Sequence, residues 1–252
     1  MRSVRLIPVL LIHRNGIYKS INFSNYKYIG DPINAIRLFN DLEVDEICIL
    51  DIDVSKNNGC PNYELIEDIA SEAFMPFSYG GGIKTVDQAK KIFNLGIEKI
   101  IVNHAIHQNL NLITEFAERF GSQSIIASID FKKNIFNKYF CYDHVSKKKL
   151  NIGVIDHVVS AEKAGAGEIL INSVDRDGLM TGMDIKIINE LNKLINIPII
   201  ACGGAGNLEH VKNAMEAGAN AIAAGSMFVF HGNQKGILIN YPEKDQLEKF
   251  LK

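Results

Sequence analysis

Tryptophan is absent from the 252 residues, cysteine occurs four times and proline six, and no stretch of about 18 consecutive apolar residues appears. Without such a stretch there is no candidate for a membrane-crossing helix. Cys48, Cys60, Cys141 and Cys202 lie far apart, and Cys48 and Cys202 fall inside apolar runs. That is neither a disulfide framework nor a zinc-binding spacing; it is the usage of a reducing cytoplasm. Neither sign of charge dominates: 27 Lys and Arg against 29 Asp and Glu give a net charge of -2, so no basic field exists to attract nucleic acid or an acidic membrane. No H-E-x-x-H or C-x-x-C spacing occurs, so no metal and no other cofactor is expected. The opening MRSVRLIPVLLIHRNG is broken by His13 and Arg14 too early to read as a secretory signal.

What the chain does have is alternation. Runs rich in β-formers at 5–11, 46–51, 76–79, 98–102, 124–129, 168–172, 198–201 and 220–223 are separated by amphipathic helical patterns. Asp31 is placed to cap PINAIRLFNDL and Pro32 to take its first turn, while VDQAKKIFNLG and LEHVKNAMEAG run into Gly96 and Gly218, the usual left-handed stop. Eight such units without a linker predict an α/β chain folded as one (β/α)8 TIM-barrel domain over residues 1–252. An open doubly wound sheet fits the regular alternation less well. NIFNKYFCYDHVSKKKLN, at 134–151, predicts a hairpin inserted after the fifth strand; its Lys147 to Lys149 read as a solvated turn in preference to a phosphate or partner site.

The segment from Pro76, PFSYGGGIKTVDQAKKIFNLGIEKIIVNHA, lies over the segment from Pro198, PIIACGGAGNLEHVKNAMEAGANAIAAGSM, at a constant offset of 122 positions. Gly81 then meets Gly203, Gly82 meets Gly204, Asn103 meets Gly225, and Glu46 meets Glu168. The barrel is therefore read as two half-barrel repeats. Active sites in this fold sit where strands end. Glycine there lets the backbone approach a ligand, and the helix start that follows offers free N–H groups to an anion. Gly81, Gly82 and Asn103 in one half, and Gly203, Gly204, Gly225 and Ser226 in the other, predict two anion pockets across one mouth. They imply a long substrate phosphorylated at both ends.

FSYGGGI, FGSQSIIASID, AGAGEILINSVDRDG and PIIACGGAG followed by AAGSMF occur in one order. With them the chain resembles, over essentially its whole length, the cyclase-subunit family of imidazole glycerol phosphate synthase, and more distantly the isomerase preceding it in histidine biosynthesis. The resemblance implies a lyase-type synthase subunit in a heterodimer with a glutamine amidotransferase. That glutaminase releases ammonia at the N-terminal face of the barrel; the ammonia crosses the barrel and attacks a bisphosphorylated ribulosyl substrate at the other end. It also implies that Arg5, Glu46, Lys99 and Glu168 ring the ammonia entrance, although charges preceding strands commonly pair at a rim for little gain. Asp130 matches the catalytic carboxylate that ends strand five. Lys19 matches a flexible-loop lysine that closes over substrate, Asn103 a position near the first phosphate, and Asp177 with Gly178, in DRDG, positions near the second. Asp51 matches a mouth position and reads equally well as a strand-end carboxylate holding a loop.

The chain also departs from the family. Leu11 stands where a second catalytic aspartate is placed, and the internal repeat says the same, since an offset of 119 superposes PVLLI on ASIDF and so Leu11 on Asp130. Leucine neither transfers protons nor accepts a hydrogen bond, so the two-acid cyclisation cannot run in its usual form. His13 is one substitute to consider, against the plainer reading of a solvated histidine in a turn. His104 replaces a small hydroxyl residue in the first pocket, Leu179 follows DRDG where threonine is usual, and FHGNQKGILINYPEKDQ inserts a β-rich ILINYP before a final amphipathic turn. With the charged ring kept, one acid lost and the tail altered, the chain looks like paralogues that accompany surface-polysaccharide genes and are associated with acetamidino groups on sugars. Their reaction would be amidine formation on a phosphorylated or nucleotide-sugar precursor. Two alternatives remain open: the histidine-pathway cyclase itself, and a catalytically silent, ammonia-conducting activator of a glutaminase.

Overall fold

The computed structural model describes residues 5–232, 234–243, 246, 247 and 250. The first half of the chain runs β1 (Arg5–His13), β2 (Gly16–Ile21), β3 (Ser24–Gly30), α1 (Pro32–Asp41), β4 (Ile47–Asp51), α2 (Tyr63–Glu72), β5 (Phe77–Gly80), α3 (Val86–Asn94), β6 (Lys99–Val102), α4 (His104–Gln108) and α5 (Asn111–Phe120). The second half runs β7 (Ile125–Lys133), β8 (Tyr139–Asp143), β9 (Lys148–Lys149), α6 (Val154–Lys163), β10 (Glu168–Ser173), α7 (Ile185–Asn192), β11 (Ile199–Cys202), α8 (Leu208–Glu216), β12 (Ala221–Ala224), α9 (Ser226–Val229), β13 (Phe230–His231) and β14 (Gly236–Ile237).

Strands β1, β4, β5, β6, β7, β10, β11 and β12 pair in parallel in that order, and β12 returns to β1, closing an eight-stranded (β/α)8 barrel. Two-residue alternation sorts the side chains. Ile7 and Val9 of β1 pack inside the barrel with Cys48, Ile101, Ile126, Leu170 and Ile200, while Leu6, Leu10 and Ile12 belong to the larger core between barrel and helices. Each fully buried isoleucine contributes about 2 kcal/mol, so both layers hold the strands in register. Helix α1 illustrates the outer layer: Asp31 caps it by accepting the Asn34 N–H, and Pro32, Ala35, Ile36 and Phe39 bury one face.

The two half-barrels agree in register as well as in order. Leu11 pairs with Leu50 as Asp130 pairs with Asn172, and Pro8 pairs with Ala224 as Ala127 pairs with Val102. Both relations place Leu11 at the position that Asp130 holds in the other half.

Each half also carries a hairpin behind its first strand. The predicted one follows β7, whose Phe131 pairs antiparallel with Cys141 of β8, and β8 pairs in turn with β9. The other, β2–β3, follows β1 and is not anticipated by the hydrophobic pattern, because β3 is exposed on most of its residues and shows no alternation of burial. Within ILINYP only Ile237 is in a strand; Leu238 to Pro242 have no regular structure, because the segment is held by Tyr241, whose hydroxyl lies 3.0 Å from both the Leu6 carbonyl and the Asp45 carboxylate. The amphipathic turn expected beyond it lies largely outside the described residues.

Candidate active site

At the N-terminal end of the strands four charged side chains form a closed ring. Arg5 donates to Glu46 at 3.0 Å and to Glu168 at 3.1 Å; Lys99 donates to Glu168 at 3.1 Å and lies 3.7 Å from Glu46. Each residue begins or precedes a barrel strand and points inward by the same alternation that sends Ile7, Cys48, Ile101 and Leu170 into the interior. Burial raises the pKa of Glu46 even though Lys99 and Arg5 pull it down, and one oxygen of Glu168 is buried without a partner. The ring is therefore a part-buried network in which two largely buried carboxylates lean on two partly exposed cations.

At the opposite end a cavity of about 280 Å³ is lined by residues from all eight barrel strands, among them Leu11, Leu50, Gly80, Val102, Asp130 and Asn172, and by Asn103 just beyond β6. Gly81, Gly82, Gly203, Gly204, Gly225 and Ser226 line it too, so both glycine-rich turns expected to hold anions open onto one space. The Gly82 N–H donates to the Ser55 hydroxyl at 3.2 Å. Gly82 and Gly204 have φ of +68° and +104°, and a Cβ on Gly204 would lie 2.2 Å from the Gly182 carbonyl oxygen.

Asp130 is 4% exposed and is held from two sides: Asn103 Nδ2 donates to Oδ2 at 3.0 Å and Asn172 Nδ2 to Oδ1 at 3.1 Å. A carboxylate only accepts, so both amides must turn their nitrogens toward it. Asn103 Oδ1 and Asn172 Oδ1 are consequently left buried without donors. Asp130 thus sits among acceptors, an environment suited to a reactant that brings N–H groups.

Other mouth residues are occupied with structure. Lys19 is 4% exposed: β2 folds inward and the ammonium donates to the Val9 carbonyl, with burial lowering its pKa to about 8 against the pull of Asp177. The lysine expected on a flexible loop is therefore sealed into the mouth. Asp177 accepts from the Ser20 hydroxyl at 2.9 Å while its carbonyl accepts the Asn22 N–H, and Gly178 gives β2 room, since a Cβ there would lie 2.2 Å from the Ser20 carbonyl oxygen. Burial raises the pKa of Asp177 and of Asp51. Asp51 accepts the N–H groups of Asp53 and Val54, the loop-holding alternative, while also lining the cavity.

His13 donates to Asp53 at 2.7 Å, stacks on Tyr26 and is not among the lining residues; the sequence-level substitute for the missing acid is engaged elsewhere. His104 donates to Asp143 at 2.9 Å instead of supplying a hydroxyl to a phosphate. Lys147 to Lys149 are all exposed, as expected, but only Lys147 lies in the turn, where it also lines the mouth; Lys148 and Lys149 form β9 and pair with β8.

Sequence reasoning missed two groups, Asn172 and His144. His144 follows β8, lines the cavity, and places Nδ1 3.5 Å from Asp130 Oδ2. The signal was available in the hairpin. Continuing the Phe131–Cys141 pairing by one residue sets Tyr142 opposite Asp130, and His144 falls on the same face two residues on. Among the described residues, no cluster of three or more His, Cys, Asp or Glu side chains is placed to hold a metal ion, and no helix is long and apolar enough to cross a membrane.

Comparison with known proteins gives a consistent family. The profile described as histidine biosynthesis protein matches residues 5–234. A Leptospira borgpetersenii protein named provisionally as imidazole glycerol phosphate synthase subunit HisF is 48% identical, with 96% of each chain covered. A Pseudomonas aeruginosa protein named provisionally as subunit hisF2 of the same synthase is 44% identical, covering 97% of this chain and 98% of the relative. Streptococcus mutans subunit HisF, named without qualification, is 36% identical over 94% of each chain.

Proposed function

The chain belongs to the histidine biosynthesis protein family, among the imidazole glycerol phosphate synthase cyclase subunits, and on that premise we propose that it is an ammonia-using synthase subunit whose reaction has left the two-acid cyclisation behind. Ammonia is supplied by a glutaminase subunit forming a heterodimer at the N-terminal face, passes the ring of Arg5, Glu46, Lys99 and Glu168, and emerges among the acceptors around Asp130. The closed four-member ring supports the first half of that route.

The observation that carries the divergence is Leu11. Two strand registers put it at the place of Asp130, where it presents an apolar wall to the cavity. One carboxylate and a set of orphaned amide oxygens suit the addition of ammonia to an activated amide carbon of an anionic, phosphorylated or nucleotide-sugar precursor, giving an amidine for polysaccharide assembly. Gly82, Asn103, Gly178, Gly204, Gly225 and Ser226 hold the anionic ends, and Lys19 is released toward them when β2–β3 opens. The higher identity to provisionally named relatives, 48% and 44% against 36%, supports a branch apart from the histidine-pathway cyclase.

The histidine-pathway cyclase is retained as a second reading, because relatives at 34–36% carry that name without qualification. Supplying 15N-ammonium with an activated N-acetylated nucleotide sugar, and separately with the bisphosphorylated ribulosyl intermediate, distinguishes the two. The proposal expects label in an amidine and none in an imidazole; the reverse pattern overturns it.

A further inference from the structure

We infer that His144 is the second proton-transfer group of the mouth, paired with Asp130 as an imidazole–carboxylate unit that does the work of the acid missing at Leu11. The inference rests on reading the mouth as the place where ammonia meets an electrophilic carbon.

The turn carrying His144 is built to hold it there. Asp143 accepts the N–H groups of Val145 and Ser146 at 3.1 Å each, which fixes the turn, and it accepts from His104 at 2.9 Å. Burial opposes the ionised form of Asp143, but these donors outweigh it and hold its carboxyl far below the usual range. A permanently charged anchor of this kind ties the hairpin of the second half to α4 of the first. His104 also meets His144 edge-on, with ring centroids 6.4 Å apart.

His144 has one unused nitrogen in the wall and one toward the cavity. Its Nδ1 is buried, has no hydrogen-bond partner and lies 3.5 Å from Asp130 Oδ2, while the side chain as a whole is 19% exposed. Because Asp130 only accepts, the proton belongs on Nδ1 and the lone pair on Nε2. Such contacts are commonly long in a free enzyme and tighten when substrate arrives. The other titratable groups close to Asp130 are committed: Lys19 to the Val9 carbonyl, Asp177 to Ser20, Asp51 to its own loop and His104 to Asp143. Tyr142 and Lys147 share the hairpin wall but are not paired with Asp130.

The step starts from an amide already activated on oxygen, as an imidoyl phosphate. The ammonia lone pair forms the new carbon–nitrogen bond while the π pair of the imidate C=N moves to its nitrogen, and one proton of the resulting –NH3+ passes to His144 Nε2, giving an imidazolium that faces the Asp130 carboxylate. The nitrogen lone pair then re-forms the double bond as the carbon–oxygen bond breaks, and phosphate leaves with that bonding pair and takes the proton from the imidazolium, so amidine and phosphate are the products.

Long-range 1H–15N spectra of the full-length protein at neutral pH test the pair without any substrate. We expect a protonated Nδ1 and a bare Nε2 at His144, and a mixture of tautomers in Asp130→Asn; identical spectra in the two folded proteins overturn it. Adding the bisphosphorylated ribulosyl compound as an anionic probe, with ammonium chloride, tests the role. If the wild type turns it over, His144→Gln lowers kcat about 100-fold with KM little changed, and unchanged kcat overturns the role. If the probe binds without turnover, shifts of the Gly204 and Ser226 amides are accompanied by a shift of His144 Nε2, and a silent His144 overturns the role. No binding at all contradicts the anionic-substrate reading of the mouth, and the tautomer result still decides the pair.

Discussion

In the first half-barrel, β1 brings Leu11 to the mouth and the hairpin behind it drives Lys19 into the barrel; in the second, β7 brings Asp130 and its hairpin sets His144 beside it. Backbone register, glycine turns and hairpin placement are shared between the halves. What differs is the side chain at each strand end. At the bottom of the barrel the halves still match, since Glu46 and Glu168 are repeat-equivalent and bridge the same two cations, Arg5 and Lys99. The duplicated scaffold thus keeps its symmetry in the charged ring at the N-terminal end of the strands and loses it at the mouth.

The comparison breaks most sharply at the strand ends themselves. Asp130→Asn should lower ammonium-dependent turnover by about 1000-fold, within the usual range for a lost acid–base group, whereas Leu11→Asn at the equivalent place should change it less than about threefold. Steady-state rates with saturating ammonium check both.

The glycine turns offer a smaller contrast. A Cβ at Gly204 meets backbone, the Gly182 carbonyl oxygen at 2.2 Å, while a Cβ at Gly82 meets the Val54 side chain at 2.1 Å. Gly204→Ala should destabilise by about 3 kcal/mol and Gly82→Ala by about half of that, read by chemical denaturation.

The hairpins differ in sign. Burial lowers the pKa of Lys19 to about 8 in the folded protein, against 10.5 ordinarily, so its charge opposes the folded state. That penalty is complete below pH 8 and fades as pH rises to 10.5. Lys19→Met should therefore raise stability by about 2 kcal/mol at pH 7, with the gain disappearing near pH 10.5. The smallest effect lies at the seam between halves, where His107 of α4 and His157 of α6 meet at 3.0 Å. Burial and His157 lower the pKa of His107 to about 4. The unfolded chain takes up a proton near pH 6.5 while the folded one does not, so stability falls as pH drops from 6.5 toward 4. The loss between pH 7.5 and 5 should be about 1 kcal/mol greater than in His107→Gln, measured by thermal melts.

Much of this was legible in the sequence, for identifiable reasons. Barrel strands such as Glu168–Ser173 and Ile125–Lys133 carry isoleucine-rich stretches, EILI and IIASI, that are buried on both faces, and the repeat exposed the glycine turns. The β2–β3 hairpin was not legible, because its outer strand buries little and its important residue, Lys19, is a lysine buried against pattern. His13 was the nearer histidine in sequence to Leu11, yet Asp53 and Tyr26 claim it. His144 was overlooked because its partner is set by antiparallel pairing across the inserted hairpin, not by distance along the chain.

The central claim is that Leu11 has taken this mouth out of two-acid cyclisation while leaving ammonia delivery in place. Purified wild-type protein and Leu11→Asp, each given the bisphosphorylated ribulosyl intermediate with ammonium salt, test it most directly. The account predicts no imidazole product from the wild type and measurable product from Leu11→Asp; wild-type turnover on the order of 1 per second, an ordinary enzymatic rate, would contradict it.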